Sequence, residues 1–160
     1  MAKYNIYGIG GALVDTEVEV SDKFLAHAKI DKGVMTLVDE KRQSEILVSL
    51  AAEESEFVRH CGGSVCNSIV AAGNLGSETF FSGKVANDYD GKIFVKELAA
   101  AGVDFTDAEL EEGVTGKCLV MVTVDAERTM NTFLGASAQF SNREIDESAL
   151  CNSDWLYIEG

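Results

Sequence analysis

Proline is absent from this sequence of 160 residues, although an average usage of ~5% would place about eight in a chain of this length. Sharp turns must therefore rest on glycine, asparagine, aspartate or serine. No apolar run approaches the roughly 20 residues that a membrane-spanning helix needs. The first residues enter a strand pattern without the apolar core of a signal peptide. We therefore expect a cytoplasmic protein.

Positive charge is scarce, with 13 lysines and arginines against 27 aspartates and glutamates and a net charge of −14. This balance argues against nucleic acid and against an anionic membrane surface as partners. The two histidines and four cysteines include no C-x-x-C pair, so we predict no metal site. The apolar fraction of 46% is typical of a globular core, and the length fits one domain or a large piece of a bigger protein.

A glycine-rich stretch at residues 61–76, beginning C-G-G-S-V-C-N-S, predicts a turn that leads into a helix. Gly62 and Gly63 have no Cβ, so a ligand can lie against their backbone amides. Ser64 is the predicted N-cap of the helix, and Asn67 lies in its first turn with an amide that can point back over the glycines. The alternative is a tight turn before a close-packed helix that holds no ligand.

Residues 4–9 predict a strand, and the glycines after it allow a turn that presents Asp15. The spacing G-x-G-x-x-G counted from Gly8 would require a third glycine at Leu13. The residues that follow alternate like a strand instead of opening a helix, so a dinucleotide-binding motif is excluded. Asp15 is a functional candidate if it faces the Gly62 turn, and otherwise an ordinary turn residue.

Hydrophobic periodicity predicts an α/β fold with two layers of strands. A parallel sheet with helices is expected from 4–9, the strand–helix units at 56–76 and 79–101, and 142–158. Segments 14–20, 33–38, 117–124 and 128–134 lack crossover helices and predict a small separate β-sheet, a lid over the carboxyl ends of the main strands. Helices are predicted at 21–28 and 39–53, capped by Ser21 and Asp39, and at 92–101 and 142–150. Gly76 and Gly102 are expected just past helix ends. The short turn at 125–127 between two β-forming runs predicts a hairpin. The strand at 155–159 is predicted to be buried, and its place at the end of the chain suggests the N-terminal part of a longer protein.

These motifs together resemble the ribokinase-like (PfkB-type) family of carbohydrate and nucleoside kinases over residues 4–160. They are G-I-G-G-A-L-V-D at 8–15, G-G-S-V-C-N-S at 62–68, G-K-V-A-N-D-Y-D-G at 83–91, A-G-V-D at 101–104, T-G-K-C at 115–118, E-R-T-M at 127–130 and L-G-A at 134–136. Within the family the sequence is most similar to the adenosine kinases, because it has an insert around 21–38 and the motif Gly-Gly-Ser-x-x-Asn-Ser.

The resemblance implies a substrate site made of Asp15, Gly11, Gly62, Gly63 and Asn67. The carboxylate would accept hydrogen bonds from ribose hydroxyls, the glycine backbone would lie along the sugar, and the amide would bind near the reacting hydroxyl. It implies that ATP and Mg²⁺ are used, and that a nucleoside is phosphorylated on its 5′-hydroxyl. A sugar kinase of the same family is an alternative, and a non-catalytic ligand-binding or dimerisation module is another.

Arg128 is a candidate lid cation that could move toward the phosphates, and otherwise a surface charge paired with Glu127 or Asp125. The sequence departs from the family at Gly11, where an amide-bearing residue is common, and at Val114, where proline is common. The Gly-Ala-Gly-Asp motif that supplies the catalytic base is absent from these residues. We therefore expect no catalytic residue and no activity in this chain alone, and an ATP-binding half outside it.

The resemblance also sets an expected domain organisation. The chain would form the N-terminal part of one kinase domain, with lid segments at about 14–38 and 114–135. The partner is expected to be a small nucleoside or sugar. The protein would be a monomer or a homodimer formed through the lid.

Overall fold

The computed structural model describes residues 2–52, 55–106 and 112–159. Within these residues the strands are β1 (Tyr4–Ile9), β2 (Leu13–Glu19), β3 (Met35–Leu37), β4 (Val58–Gly62), β5 (Thr79–Ser82), β6 (Val103–Phe105), β7 (Gly116–Val122), β8 (Arg128–Phe133) and β9 (Ser153–Ile158). The helices are α1 (Asp22–Ala28), α2 (Glu40–Ala51), α3 (Ser64–Asn74), α4 (Tyr89–Ala100) and α5 (Glu147–Cys151). Short 3-10 turns lie at Gly135–Gln139 and Asn142–Glu144.

The first sheet is parallel and has the order β6-β5-β1-β9 among the described strands. Strand β5, one of the two inner strands, is buried along its whole length, as a strand with both faces covered must be. Helices α3 and α4 pack on it around one apolar cluster. The fully buried members of that cluster include Val65, Ile69, Phe81, Phe94 and Leu98. The predicted α/β class with a parallel sheet is therefore confirmed.

The second sheet has the order β3-β8-β7-β2-β4 in the part of the chain that the structure describes. Helices α1 and α2 cover one face of it, where Val18, Leu119 and Met121 pack with Ile46 and Leu50. We call this sheet with its two helices the lid, and we call the opposite face of the sheet the Asp15 face. Strands β7 and β8 form the predicted hairpin, paired from Val122 with Arg128 onward.

The prediction for the strand of the 56–76 unit is wrong, because that strand does not enter the main sheet. Strand β4 pairs antiparallel with β2 and forms an edge of the lid sheet. A strand followed by a turn and a helix looks the same locally in either sheet, so the pattern alone could not choose between them. The lid therefore includes β4 as well as the expected segments, while its exact limits stay a proposal.

Helix starts were predicted with an error of a few residues. Gly63, with φ 104°, occupies the N-cap position of α3, and Ser64 is already the first helical residue. Helix α4 begins at Tyr89 because Asp88 caps it, three residues before the predicted start. The segment predicted as one helix at 142–150 is a 3-10 turn followed by α5. Glu53, the predicted end of α2, lies outside the described residues.

The last strand differs from expectation in its burial. The sequence predicted a buried strand, but β9 lies at the edge of the main sheet beside β1. Its large apolar side chains are exposed, from Tyr157 at 41% to Trp155 at 74% of their surface. None of the described helices is long and apolar enough to cross a membrane.

Candidate functional site at the junction of the two sheets

Two glycine-containing connections join the lid to the main sheet, and they touch each other. Residues 10–12 connect β1 to β2, and residue Gly63 connects β4 to α3. A Cβ built on Gly63 would lie 2.1 Å from the backbone oxygen of Gly11. The φ of 104° at Gly63 is one that glycine adopts readily and other residues rarely do. The predicted proximity of the two turns is therefore a property of the fold.

The carboxylate of Asp15 lies directly against Gly62. A Cβ at position 62 would be 2.2 Å from the Oδ1 atom of Asp15. The reason is strand register: Leu13 is paired with Gly62, and Asp15 with His60, across the β2–β4 ladder. Only a residue without a side chain leaves room here, so Gly62 has a steric role that its place in the turn did not reveal.

The electrostatic environment of Asp15 raises the pKa of its carboxyl above the ordinary value. Burial is the main cause, and the negative charge of Glu17 adds to it, while Arg128 and His60 act in the opposite direction. Among the described residues, none donates a hydrogen bond to this carboxylate. Burial therefore destabilises the ionised Asp15 carboxylate, and it lacks the hydrogen bonds that usually compensate this desolvation.

Asp15 belongs to a row of residues that crosses the lid sheet. The row consists of His60, Asp15, Cys118, Thr132 and Leu37, one residue from each of five adjacent strands. The Thr132 hydroxyl donates a hydrogen bond to the Cys118 sulfur at 3.3 Å. Sequence reasoning missed Cys118 and Thr132 as neighbours of Asp15. The hairpin turn predicts that they pair with each other, but the parallel pairing of β2 with β7 has no local signal.

Arg128 begins β8 and is exposed. The strand registers place it on the Asp15 face, because Asp15 pairs with Cys118 and Arg128 with Val122, four residues further along β7. The Asp125 carboxylate, one of the two alternative partners of Arg128 beside Glu127, binds Lys32 at 2.7 Å. Arg128 instead acts on Asp15 through its charge.

Asn67 lies in the first turn of α3, where its backbone N–H bonds the oxygen of Gly63 at 2.8 Å. Its side chain is exposed and contributes to a groove of about 470 Å³ that is also lined by His60, Cys61 and Glu97. The structure thus brings Asp15, Gly62, Gly63 and Gly11 into contact. That the Asn67 amide shares one space with the Asp15 carboxylate stays a prediction.

Glu159 is a further acidic residue at this end of the sheet, which sequence reasoning did not assign. It directly follows β9, and its backbone N–H bonds the oxygen of Ile9 at 3.2 Å. Its carboxylate accepts a hydrogen bond from the Ser64 hydroxyl at 3.0 Å, at the start of α3. A carboxylate at a helix N-terminus is electrostatically favourable. Its position after an apolar strand could have indicated it.

A cavity of about 440 Å³ lies between the lid and the main sheet, on the Asp15 face of the lid, and its lining includes Thr132 of the row that contains Asp15. Residues from the end of β3, the loop after β5 and the turn after β8 line it, including Leu37, Lys84 and Gly135. Lys84 forms a buried ion pair with Glu144 at 2.9 Å. Asp15, Gly62, Gly63 and Asn67 are not among the described residues that line this cavity.

No group of three or more His, Cys, Asp or Glu side chains within residues 2–52, 55–106 and 112–159 could hold a metal ion. We assign no step in this chain to Mg²⁺.

A parallel α/β sheet joined to a β-sheet lid by two touching glycine connections defines the ribokinase-like class of small-molecule kinases. The chain belongs to the pfkB family of carbohydrate kinases, whose family model matches residues 27–160. The chain is 29% identical to adenosine kinase 2 of Arabidopsis thaliana over 135 residues, which are 82% of this chain and 38% of that protein. It is 31% identical to a bifunctional ribokinase/ribose-5-phosphate isomerase A of Fructilactobacillus sanfranciscensis over 98 residues, 59% of this chain and 18% of that protein.

Solved structures resemble the whole chain. Adenosine kinase from Sinorhizobium meliloti superposes with a TM-score of 0.85 and 33% identity, over 98% of this chain and 47% of that one. A probable sugar kinase from Rhizobium etli CFN 42 gives a TM-score of 0.86 and 28% identity, over 99% of this chain and 47% of that one. The chain thus spans about half the length of these structures, and less of the curated relatives.

Proposed function

We propose that the protein containing this chain transfers a phosphoryl group from ATP to the 5′-hydroxyl of a nucleoside such as adenosine. This chain would supply the acceptor-substrate site and the lid. The observation that carries the proposal is the Asp15 carboxylate, which is half-buried at the sheet junction and receives no hydrogen bond from the described residues. A ligand diol brings the donors that this carboxylate lacks, so binding offsets its desolvation.

The neighbouring residues have matching roles in this proposal. Gly11, Gly62 and Gly63 carry no side chains, so a sugar ring can approach their backbone. Asn67 binds the ligand near the reacting hydroxyl. Two groups that each hydrogen-bond a hydroxyl discriminate strongly, because an unpaired buried polar group costs about 1–3 kcal/mol.

Arg128 would serve as the lid cation. It lies on the Asp15 face, and its guanidinium suits two-point binding of a phosphate. ATP and Mg²⁺ are generally used by this kinase family, and we place their binding, together with the catalytic base, in a part of the protein outside this chain. When bound, Mg²⁺ neutralises charge on the transferring phosphoryl group.

A sugar kinase is the second candidate. The relative with ribokinase in its name and the probable sugar kinase from Rhizobium etli both support it. Gly11 also supports it, because a glycine offers no side-chain amide for a nucleobase. Both candidates use Asp15 in the same way, as the acceptor for a sugar diol.

A non-catalytic module or a dimer formed through the lid is the third candidate. Met35 and Leu37 on β3 are 55% and 59% exposed, and apolar side chains of this size favour contact with a second surface. We propose a cytoplasmic location, in line with the free state of Cys61, Cys66, Cys118 and Cys151.

The test is a titration of the purified chain with adenosine and, separately, with ribose and fructose, followed by backbone amide NMR. We expect shifts at Gly62, Gly63 and Asn67, with the larger response to the true substrate class. The Asp15→Ala variant should bind more weakly by on the order of 1–3 kcal/mol. Glu19→Ala is the matched control, since Glu19 is an exposed acid on the same strand and face, and it should bind like the wild type. Equal binding by the wild type and Asp15→Ala would show that Asp15 is no substrate ligand.

A further inference from the structure

Two cysteines flank the glycine turn of the candidate site. Cys61 is the fourth residue of β4, and Cys66 is the third residue of α3. Only Gly62, Gly63, Ser64 and Val65 separate them. Cys61 is half-buried and packs against the apolar cluster that contains Cys66, which is fully buried. The strand, the turn and the helix start thus bring both side chains to the same place.

The thiols of Cys61 and Cys66 are close enough to influence each other's ionisation. The contact with Cys66 lowers the pKa of the Cys61 thiol below its ordinary value, with burial acting against it. The same contact, together with burial, raises the pKa of Cys66. Cys61 is therefore the thiol that ionises first, and the thiolate is the nucleophile in sulfur chemistry.

Cys61 is also the more accessible member of the pair. It lines the groove of about 470 Å³ beside α3 and α4, together with His60 and Asn67. Its backbone N–H donates to the Glu97 carboxylate, which anchors the end of β4. A small oxidant can reach Cys61 from this groove, whereas Cys66 is fully buried and does not line it.

We propose that Cys61 and Cys66 form a redox modification site, in which a peroxide oxidises Cys61 and Cys66 then closes a reversible disulfide across the Gly62–Gly63 turn. The Cys61 thiolate attacks one peroxide oxygen, the O–O bond breaks, and the departing hydroxide takes up a proton to become water. Cys61 is left as a sulfenic acid. The Cys66 sulfur then attacks the Cys61 sulfur, the S–O bond breaks, and a second water leaves with the Cys66 proton. Two thiols lose two electrons in total, and one hydrogen peroxide is reduced to two waters.

The disulfide changes the geometry of the turn. A disulfide bond is about 2.05 Å long, so the two sulfur atoms must come closer than sulfur atoms that are not bonded to each other. The turn between them includes Gly62, which lies against the Asp15 carboxylate, and Gly63, which lies against Gly11. We expect the disulfide to shift the backbone of this turn, which lines the candidate acceptor site. This consequence rests on the proposed function, and we expect the oxidised protein to lose affinity for the nucleoside or sugar at least tenfold.

The disulfide is tested by peptide mapping of the purified chain. The chain is treated with hydrogen peroxide, then denatured in the presence of iodoacetamide, which alkylates free thiols, and digested with trypsin. The peptide His60–Lys84 contains Cys61 and Cys66 and neither of the other cysteines. We expect this peptide to become lighter by two hydrogens and to resist alkylation, and dithiothreitol to restore the doubly alkylated form. A peptide that stays doubly alkylated while Cys151 is oxidised would overturn the proposal.

Three variants separate the two steps. Cys66→Ala should stop at the sulfenic acid, so that dimedone labels Cys61. Cys61→Ser should leave Cys66 unoxidised. This variant still tests the order of the two steps if the buried Cys66→Ala change prevents folding. Cys151→Ser is the matched control, since Cys151 is exposed and belongs to α5, and it should form the disulfide like the wild type. Dimedone labelling of Cys66 in Cys61→Ser would contradict the assigned order.

Ligand binding is measured on the same oxidised and reduced samples. If the reduced chain binds neither nucleoside nor sugar, the proposed function fails. The mass of the peptide still shows whether the disulfide forms. If the reduced chain binds and the oxidised chain binds equally well, the coupling of the disulfide to the site is overturned.

Discussion

The carboxylate of Asp15 occupies the space into which a side chain at Gly62 would point, with only 2.2 Å between a Cβ there and Oδ1. This contact joins the first lid strand to the turn before α3. Because of this contact, the Asp15 side chain can keep its position only if residue 62 is a glycine. The stability and the binding properties of the site therefore depend on both residues together.

Gly62→Ala should destabilise the chain by about 1–3 kcal/mol, the usual cost of overpacking. Adding Asp15→Ala should recover part of this loss, because the obstructing atoms are those of the Asp15 side chain. The measurement is urea unfolding of both single variants and the double variant. Gly63→Ala is the control: its clash is with the Gly11 backbone oxygen and its φ is 104°, so Asp15→Ala should not relieve it. Additive losses for Gly62→Ala and Asp15→Ala would refute the contact.

Asp15→Asn should raise the free energy of unfolding at neutral pH. Burial raises the pKa of Asp15 in the folded chain, so the folded state disfavours the ionised carboxylate above the ordinary pKa of 3.8. The gain should shrink as the pH falls through the raised pKa, because the wild-type carboxyl then becomes neutral. The same variant should weaken ligand binding. Glu19→Gln is the control, and a gain that is independent of pH would speak against a buried charge.

Asp88→Ala should lower the free energy of unfolding by roughly 2–3 kcal/mol, because it removes the cap of α4 and the hydrogen bonds from Thr115. The carboxylate accepts from Gly91 N at 2.8 Å, Thr115 N at 2.9 Å and the Thr115 hydroxyl at 2.6 Å. Although burial opposes it, these bonds hold the pKa of Asp88 below its ordinary value. Its contribution should therefore be present above pH 3.8 and be lost as the pH falls through the lowered pKa. Asp88→Asn keeps an acceptor for Gly91 and should lose less; equal losses would argue against the cap.

The 160 residues by themselves should show no phosphotransfer. The reaction needs a cradle for the γ-phosphate, a metal ion and a base that orients the acceptor hydroxyl. Asp88 is committed to capping α4, Asp90 pairs with Lys117 at 2.8 Å, and Asp104 accepts from Tyr4 at 2.6 Å. A mixture of the chain with ATP, Mg²⁺ and adenosine should produce no AMP above background. Turnover that is abolished by replacing one of these aspartates would contradict the proposal that the catalytic base lies outside this chain.

Local sequence signals predicted the elements that depend on neighbouring residues. Ser21 and Asp39 cap α1 and α2 as expected, because their side-chain oxygens accept the N–H groups three residues on. Gly76 and Gly102 have the positive φ expected just after a helix. The β7–β8 hairpin also follows from a short turn between two β-forming runs.

The candidate site was predicted in its parts but not in its arrangement. The glycines and Asp15 stand out in the sequence because glycine is needed where backbones meet, and because a carboxylate soon after a glycine turn is a candidate ligand for whatever the turn holds. Cys118 and Thr132 do not stand out, since a small polar residue within a strand has no signature of its own. The place of Glu159 after an apolar strand marks it as a candidate, but its position beside Ile9 follows only from the pairing of β9 with β1.

The sequence by itself determined the alternation of strands and helices, the glycine turns and most helix caps, because each is decided within a few residues. Only the tertiary structure decided that β4 joins the lid, that β2 pairs in parallel with β7, and that Asp15 lies on Gly62. Those pairings are chosen by which apolar faces can be buried together across the whole chain. A local pattern carries no information about that choice, since the same strand buries its apolar side chains equally well in either sheet.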